Sequence, residues 1–434
     1  MGLHLLHKGN HHKIFIKLNF PVNYKYFLKL IILTFLFLNI YKVSYPQINN
    51  SYIVGEITSK GNKKPIKNAN VYLAYTMLGS STDRNGNYSI INIPSGRYTL
   101  VVSHINYETL TIKINVNNKR KYSYNFELEP KIYQFRPVRV TAGGRAEWQK
   151  NFEIFKKEFI GTSNFAKNTF IVDSLALNFN RNGDDILFAK SQEPLIIINN
   201  GLGYKIEYEL IHFEYNKEYK KDYVKYSGFP KFSLLETTNP DTLELWKLNR
   251  QIAYNGSLRH FLRAICKNYD ITNNNLDTVK YKINYSDSSV GRDKMEYPKN
   301  NFLKDNGFEV LYKSALGPRF GIIPIVFFVN MNRYLTPAKN ANEMYLKFEN
   351  YFEVRYDNPN KKKFPHDKKA KISWIRLEKD SVLIDKLGRY YETFAIKSYG
   401  YWATQRLADT LPYEYVYGDS LFKYNLIDIE KPPK

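Results

Sequence analysis

Cysteine is almost missing from this chain: 434 residues contain one, Cys266. No disulfide can form within a single copy, and no cysteine follows the N-terminal apolar run to accept a lipid. Acidic residues are missing from the N-terminus, where none occurs before Glu56. A membrane-length apolar run at the N-terminus is missing too. "LIILTFLFLNIY" is about a dozen residues, short for a helix that crosses a bilayer. A compact arginine-rich stripe is also absent, although the net charge is +23. Lysine is spread through every segment among Asp and Glu, so nucleic acid is not an expected partner.

What is present begins with an export signal. Lys8, Lys13, Lys17, Lys25 and Lys29 precede the apolar run, which gives residues 1–47 the charged and apolar parts of a signal peptide. Cleavage is expected near Gln47. The segment "YKVSYPQINN" lacks a small-x-small pattern, so an uncleaved anchor with membrane association stays open. Export without disulfides suits the periplasm or outer membrane of a Gram-negative bacterium.

Hydrophobic residues make up 43% of the chain, and 37 Tyr with 28 Phe favour strands and half-buried surfaces. The reading is an all-β sandwich of Greek-key type over 50–130, with about seven strands. A linker over 131–144 and a mostly antiparallel α+β domain over 145–434 follow. The strands of the sandwich are "YIVGEIT", "ANVYLAY", "NYSIINI", "RYTLVVSHI", "TLTIKINV" and "KYSYNFELEP", separated by Gly, Pro and Asn. Tyr98, Leu100 and Val102 alternate with Thr99, Val101 and Ser103, which predicts one core face and one more polar face. Gly86 is expected at positive φ after Asp83, and Pro94 and Gly96 bracket the next turn. Ser81, Asp83, Asn85 and Gly86 loosely match the start of a calcium loop. Asn92 stands where the bidentate acid belongs, so the stretch reads as a hairpin turn.

Val54-Gly55-Glu56-Ile57, Pro65-Ile66, Ala69-Asn70-Val71 and "TDRNGNYSIINIPSGRYTLVVSHINYE" together resemble the carboxypeptidase regulatory-like domain. The resemblance covers most of residues 51–130 and implies a structural or interaction module without chemistry of its own. The peptidase that gives such modules their name needs a His-x-x-Glu metal pair. His104, His212, His260 and His366 are followed three places on by Tyr107, Tyr215, Arg263 and Lys369, and the other histidines lie in the leader. No metal and no cofactor are expected.

Carbonyl chemistry by a serine finds no Gly-x-Ser-x-Gly elbow. Ser257 and His260 in "AYNGSLRHFLRAI" share a helix face and are the catalytic candidates. Ser257 follows Asn255-Gly256, however, and reads first as a helix N-cap. Arg250, Arg259 and Arg263 are candidates for gripping an anion, against a plain reading as salt-bridged helix faces. Asp184-Asp185 read as a turn and Cys266 as a small buried hydrophobe.

In the larger domain, Trp148, Phe152, Phe155 and Phe159 stripe an amphipathic helix that stops at Gly161. Residues 194–215 give two strands, and a phase shift from Leu210 to Ile211 predicts a bulge. Two helices are expected from Leu243 to Lys267, striped by Leu245, Leu248 and Ile252 and then by Leu258, Phe261, Leu262 and Ile265. An Asn-, Asp- and Ser-rich loop covers 268–300. "YLKFENYFEVRY" reads as one strand, followed by a basic tip, a meander and a short helix near "ATQRLADTL".

The order of "FIGTSNFAKN", "PLIIINNGLGYKIEYELIHFEY", "RQIAYNGSLRHFLRAI" and "GYWATQRLADTLPYEY" resembles exported Bacteroidetes proteins that begin with the regulatory-like module. "FRPVRVTAGG" (Phe135–Gly144) is similar to the segment after that module in TonB-dependent receptors. The remaining length falls short of a plug plus a 22-stranded barrel. The expectation is a non-enzymatic envelope protein with a structural or binding role toward an envelope protein or glycan. The alternatives are a hydrolase with its site in 145–434, or an accessory component of TonB-dependent uptake.

Overall fold

A computed structural model of the chain describes residues 51–117, 121–131, 142–183, 185–217, 223–274, 302–314, 326–360 and 370–415. The leader, Asp184, His366, most of the Asn-rich stretch after Asn274, most of the basic tip and most of "FRPVRVTAGG" lie outside the described residues.

Short apolar segments broken by turn residues form eight strands. These are β1 (Ser51–Ser59), β2 (Asn70–Leu73), β3 (Gly79–Ser81), β4 (Asn87–Ile93), β5 (Gly96–His104), β6 (Tyr107–Val116), β7 (Lys121–Ser123) and β8 (Phe126–Leu128). One sheet has the order β4-β1-β7 with β8 also on β1, and the other runs β3-β2-β5-β6. β7 and β8 run parallel to β1, while the other pairs are antiparallel. Ile53, Ile57, Val71, Leu100 and Val102 are fully buried between the sheets. Each such side chain contributes on the order of 2 kcal/mol of burial.

The expected polar face of β5 is not polar in its surroundings. Val101 is fully buried and Ser103 nearly so, because a third sheet covers them. That sheet is built from β9 (Thr169–Ile171), β10 (Leu177–Asn182), β11 (Ile186–Ser191), β12 (Leu195–Asn199), β13 (Tyr204–Asn216) and β14 (Tyr223–Leu234). All its pairings are antiparallel, with β13 in the middle between β14 on one side and β11 and β12 on the other. The bulge falls where the phase shift placed it: the register slips between Leu210 and His212, and Ile211 is the exposed extra residue. Helix α1 (Ala142–Phe159) lays Phe155 and Phe159 on the core face of this sheet, against Phe213 and Tyr208.

Two further helices, α2 (Pro240–Tyr254) and α3 (Leu258–Asn274), flank a bend at Asn255-Gly256-Ser257. The buried side of α2 is Trp246, Arg250, Ala253 and Tyr254. The predicted stripe is displaced: Leu245 is 52% exposed, because Trp246 rather than a leucine is the anchor. In α3 the predicted Phe261, Leu262 and Ile265 are buried, and the helix continues to Asn274, past the expected end at Lys267.

The rest comprises α4 (Phe302–Asp305), β15 (Phe308–Lys313), β16 (Val326–Phe328), β17 (Leu335–Pro337), β18 (Glu343–Leu346), β19 (Tyr351–Tyr356), β20 (Lys371–Leu377), β21 (Val382–Asp385), β22 (Ile396–Gly400) and α5 (Tyr401–Thr404). A five-stranded sheet, β16-β15-β19-β20-β22, shares a core with a three-stranded one, β17-β18-β21. "YLKFENYFEVRY" is therefore two strands in two sheets. Asn350, at φ +61°, turns the chain between them. After α5 the chain returns to the α1 core through Leu407, Ala408 and Leu411.

Candidate functional site

Among the described residues, a buried polar cluster lies where the sandwich, the α3 region and the returning segment Leu407–Tyr415 meet. Its first member is the turn before β5. Gly96 has φ +154°, and a Cβ there would stand 2.4 Å from Arg389 Nη2. Arg97 then donates to both oxygens of Glu343, at 2.6 and 3.0 Å, and Glu343 is 2% exposed. Tyr98 sits under the Arg389 guanidinium, 4.9 Å from ring centre to cation. The most recognisable turn of the sandwich is thus a docking element for the sheets beyond it.

Arg389 is held in turn by Asp385. The Asp385 carboxylate accepts from Arg389 Nε at 2.5 Å, Tyr391 Oη at 2.7 Å, and the backbone N–H of Leu387 and Arg389 at 3.0 and 2.9 Å. Burial works against the Arg389 charge, but the Asp385 carboxylate together with Tyr98, Tyr391 and Tyr413 outweighs it and the net shift is upward. Arg389 Nη1 is buried with no hydrogen-bond partner.

The loop after β2 supplies the second contact. Tyr75 donates its N–H to Pro230 O at 2.7 Å, and Phe232 N–H donates to Thr76 O at 2.9 Å, so the loop adds a short parallel rung to the edge of β14. Pro230 sits on an edge strand, as a residue without an N–H must. Beside this rung, Tyr72 Oη donates to Phe229 O at 3.0 Å, and Ser103 Oγ to Glu209 at 3.3 Å. Burial raises the Glu209 carboxyl above its ordinary range.

The third contact is the C-terminal segment. Tyr413 N–H donates to Tyr75 O at 2.8 Å, and the two rings stack at 5.3 Å. Glu414 Oε1 accepts from Met77 N–H at 2.8 Å, while its Oε2 is buried without a partner. Burial pushes the Glu414 carboxyl up to about 7.

The predicted site residues fall in or beside this junction. Ser257 Oγ accepts from His260 N–H at 3.1 Å, the geometry of an N-cap at the start of α3. His260 Nδ1 accepts from Gly256 N–H at 3.1 Å, and its ring packs among Tyr254, Phe308 and Tyr356. Burial first, then the nearby Arg263 and Lys371, push its pKa down to about 3, so the imidazole is neutral at physiological pH. The three arginines do not converge on one point. Arg250 donates to Leu202 O and Gly203 O at 2.7 and 3.1 Å, with its cation 4.3 Å from the Tyr204 ring centre. Arg259 donates to Leu387 O, Pro412 O, Tyr413 O and Tyr415 O. Arg263 is buried beside the Tyr254 hydroxyl. Cys266 is fully buried, and burial raises its thiol.

Asp83 Oδ1 accepts from the N–H groups of Asn85 and Asn87 at 2.8 and 2.9 Å, which is a hairpin turn closed on itself. Among the described residues, no three His, Cys, Asp or Glu side chains are grouped as a metal would need. No helix among them is long and apolar enough to cross a membrane. Sequence reasoning passed over Tyr75, Arg97, Glu343, Asp385, Arg389 and Glu414. The only local hint was the crowding of Arg, Tyr and acids in "IDKLGRYYE" and "LPYEY".

A family model described as CarboxypepD_reg-like domain matches residues 53–140. No curated protein matches the chain. Among solved structures, the major pilin subunit BcpA of Bacillus cereus aligns at 18% identity over 19% of this chain and 30% of that one, with a TM-score of 0.17. The minor pilin GBS52 of Streptococcus agalactiae aligns at 13% identity over 21% and 48%, also at 0.17. A DUF3823 family protein from Bacteroides ovatus aligns at 12% identity over 43% and 82%, at 0.16. The chain thus spans less than a third of the pilin BcpA and less than half of GBS52.

Proposed function

We propose that this chain is a non-enzymatic protein of a bacterial cell envelope, acting as a rigid scaffold that binds an envelope protein or glycan. One observation supports this most: the side chains best suited to chemistry are engaged in holding the fold. Ser257 caps a helix, His260 is a neutral core residue, and Arg250 and Arg259 grip backbone carbonyls. The regulatory-like module at 53–140 supports an interaction role, and the lysine-rich, acid-free leader supports export to the periplasm or outer membrane.

The test uses the full chain, tagged at its C-terminus, in its own host. Envelope fractionation and crosslinking are compared for wild type and Ser257→Ala, with purified protein assayed against ester, peptide and glycoside substrates. Co-fractionation with the envelope and one crosslinked partner in both proteins is the expected result. A hydrolytic activity that Ser257→Ala removes while the circular dichroism stays unchanged would overturn the reading.

A further inference from the structure

The C-terminal segment runs across all three cores. Ala408 N–H donates to Ile160 O at 3.1 Å, Asn199 Nδ2 to Ala408 O at 2.9 Å, and Leu411 is buried in the α1 core. Beyond it, Arg259 on α3 holds the carbonyls of Pro412, Tyr413 and Tyr415, while Tyr413 and Glu414 reach the loop after β2. This strap touches the sandwich and α3 at once, as the turn after β21 also does through Leu387 and Arg389.

Its weak point is Glu414. One carboxyl oxygen takes the Met77 N–H and the other is shut away from solvent with nothing bonded to it. A neutral carboxyl suits that place: a proton resides on Oε2 and Oε1 still accepts from Met77. An ionised one leaves a charged oxygen buried and unpaired, which is costly. Of the cations nearby, Arg259 is spent on carbonyls, and Arg389 gives its Nε to Asp385 while its Nη1 has no hydrogen-bond partner, Glu414 included. We propose that residues Leu411–Tyr415 form a proton-dependent clasp, fastening the sandwich to the rest of the molecule while Glu414 is neutral and loosening as it ionises. This inference stands independently of the envelope reading.

The groups facing Glu414 are Arg259 from α3, Arg389 after β21, Tyr98 from the sandwich, Tyr204 from β13 and Tyr413 on the strap. Burial shifts the tyrosines upward and Arg259 downward while Arg389 is raised, and a guanidinium stays charged across this range, so none titrates near neutrality. Two other groups close to the strap add to the pH dependence. Asp409, raised to about 6 by burial, acts in the same direction as Glu414. His260, near Tyr254 and so near Tyr415, acts in the opposite direction, losing stability as pH falls below its ordinary 6.5.

The sign follows from linkage. Glu414 has an ordinary value of 4.5 and sits near 7 in the fold, so the folded state binds more protons between those values. Its contribution is complete below 4.5, is lost as pH rises toward 7, and stays lost above.

Amide hydrogen exchange on the full chain, corrected for intrinsic rates, tests this at pH 5, 6.5 and 8. Protection at Met77 and Tyr413 should fall at least tenfold from pH 5 to 8 in wild type, since each unit of pKa difference is worth about a factor of ten. In Glu414→Gln, which keeps the acceptor and removes the charge, that fall should disappear. Asp409→Asn should keep most of it. A flat wild-type profile overturns the proposal without reference to any variant. So does a Glu414→Gln profile that falls as the wild type does.

Discussion

Two turns of the sandwich, thirteen residues apart from Asp83 to Gly96, are equally visible in sequence and serve different ends. Asp83–Gly86 is closed on itself: the carboxylate takes two N–H groups of its own loop, and Gly86, at φ +77°, lies against Ile57 O and Pro65 within the module. Gly96–Tyr98 is closed by residues about 250–290 positions later, Glu343 and Arg389. A turn motif therefore fixes local backbone, while the side chains it displays decide whether it also joins one core to another.

Substitutions on the two sides of that comparison should separate them. The largest effect is expected from Asp385→Ala, which strips four donors of their acceptor and leaves Arg389 buried and unpaired. A loss of ~3–5 kcal/mol should appear in chemical denaturation, with the sandwich retaining its own transition. Gly86→Ala comes next, at about 2 kcal/mol, because its Cβ would meet a backbone oxygen 2.5 Å away at positive φ. It should weaken the sandwich itself. If it instead lowers only the coupling between cores, the contrast between the turns is lost.

Arg97→Ala should cost ~1–2 kcal/mol, reduced because Arg97 is half-exposed but still leaving Glu343 buried without its partner. The expected signature is two resolved thermal transitions in place of one. Asp83→Ala is the mildest, at about 0.5–1 kcal/mol, since its bonds lie at the surface. Differential scanning calorimetry should show the single transition move down slightly without splitting.

The sandwich was legible because its strands are bounded by turn residues and its core alternates cleanly from Tyr98 to Val102. β3 was not, since Gly-Ser-Ser carries no apolar signal and pairs only because β2 lies beside it. The stripe on α2 was misplaced because leucines were weighted over Trp246. That indole donates to Asn200 O at 2.7 Å, so a contact 46 residues away chose the buried face. Asn350 was hidden for a related reason: Phe348 and Phe352 are both buried, so their spacing mimics an unbroken strand across a turn.

Among the weakly predicted site residues, Ser257 as a cap was readable from Asn255-Gly256. The junction shows in the sequence only as that crowding of Arg, Tyr and acids. Its members come from seven separate stretches, and periodicity reports only what happens within one.

The contact between Met77 and Glu414 spans 337 residues. At the pace of ribosomal synthesis that separation is roughly twenty seconds to a minute. The sandwich emerges first and can complete its own core, but the loop after β2 and the outer face of β5 must wait for a partner. Val101, Tyr72 and the rung at Tyr75–Thr76 wait a shorter time, until β14 arrives 157 residues on from Tyr72, and until then are open to any other strand edge. Whatever meets the nascent chain before β14 does, whether a chaperone or a second copy, meets a surface that the finished protein hides.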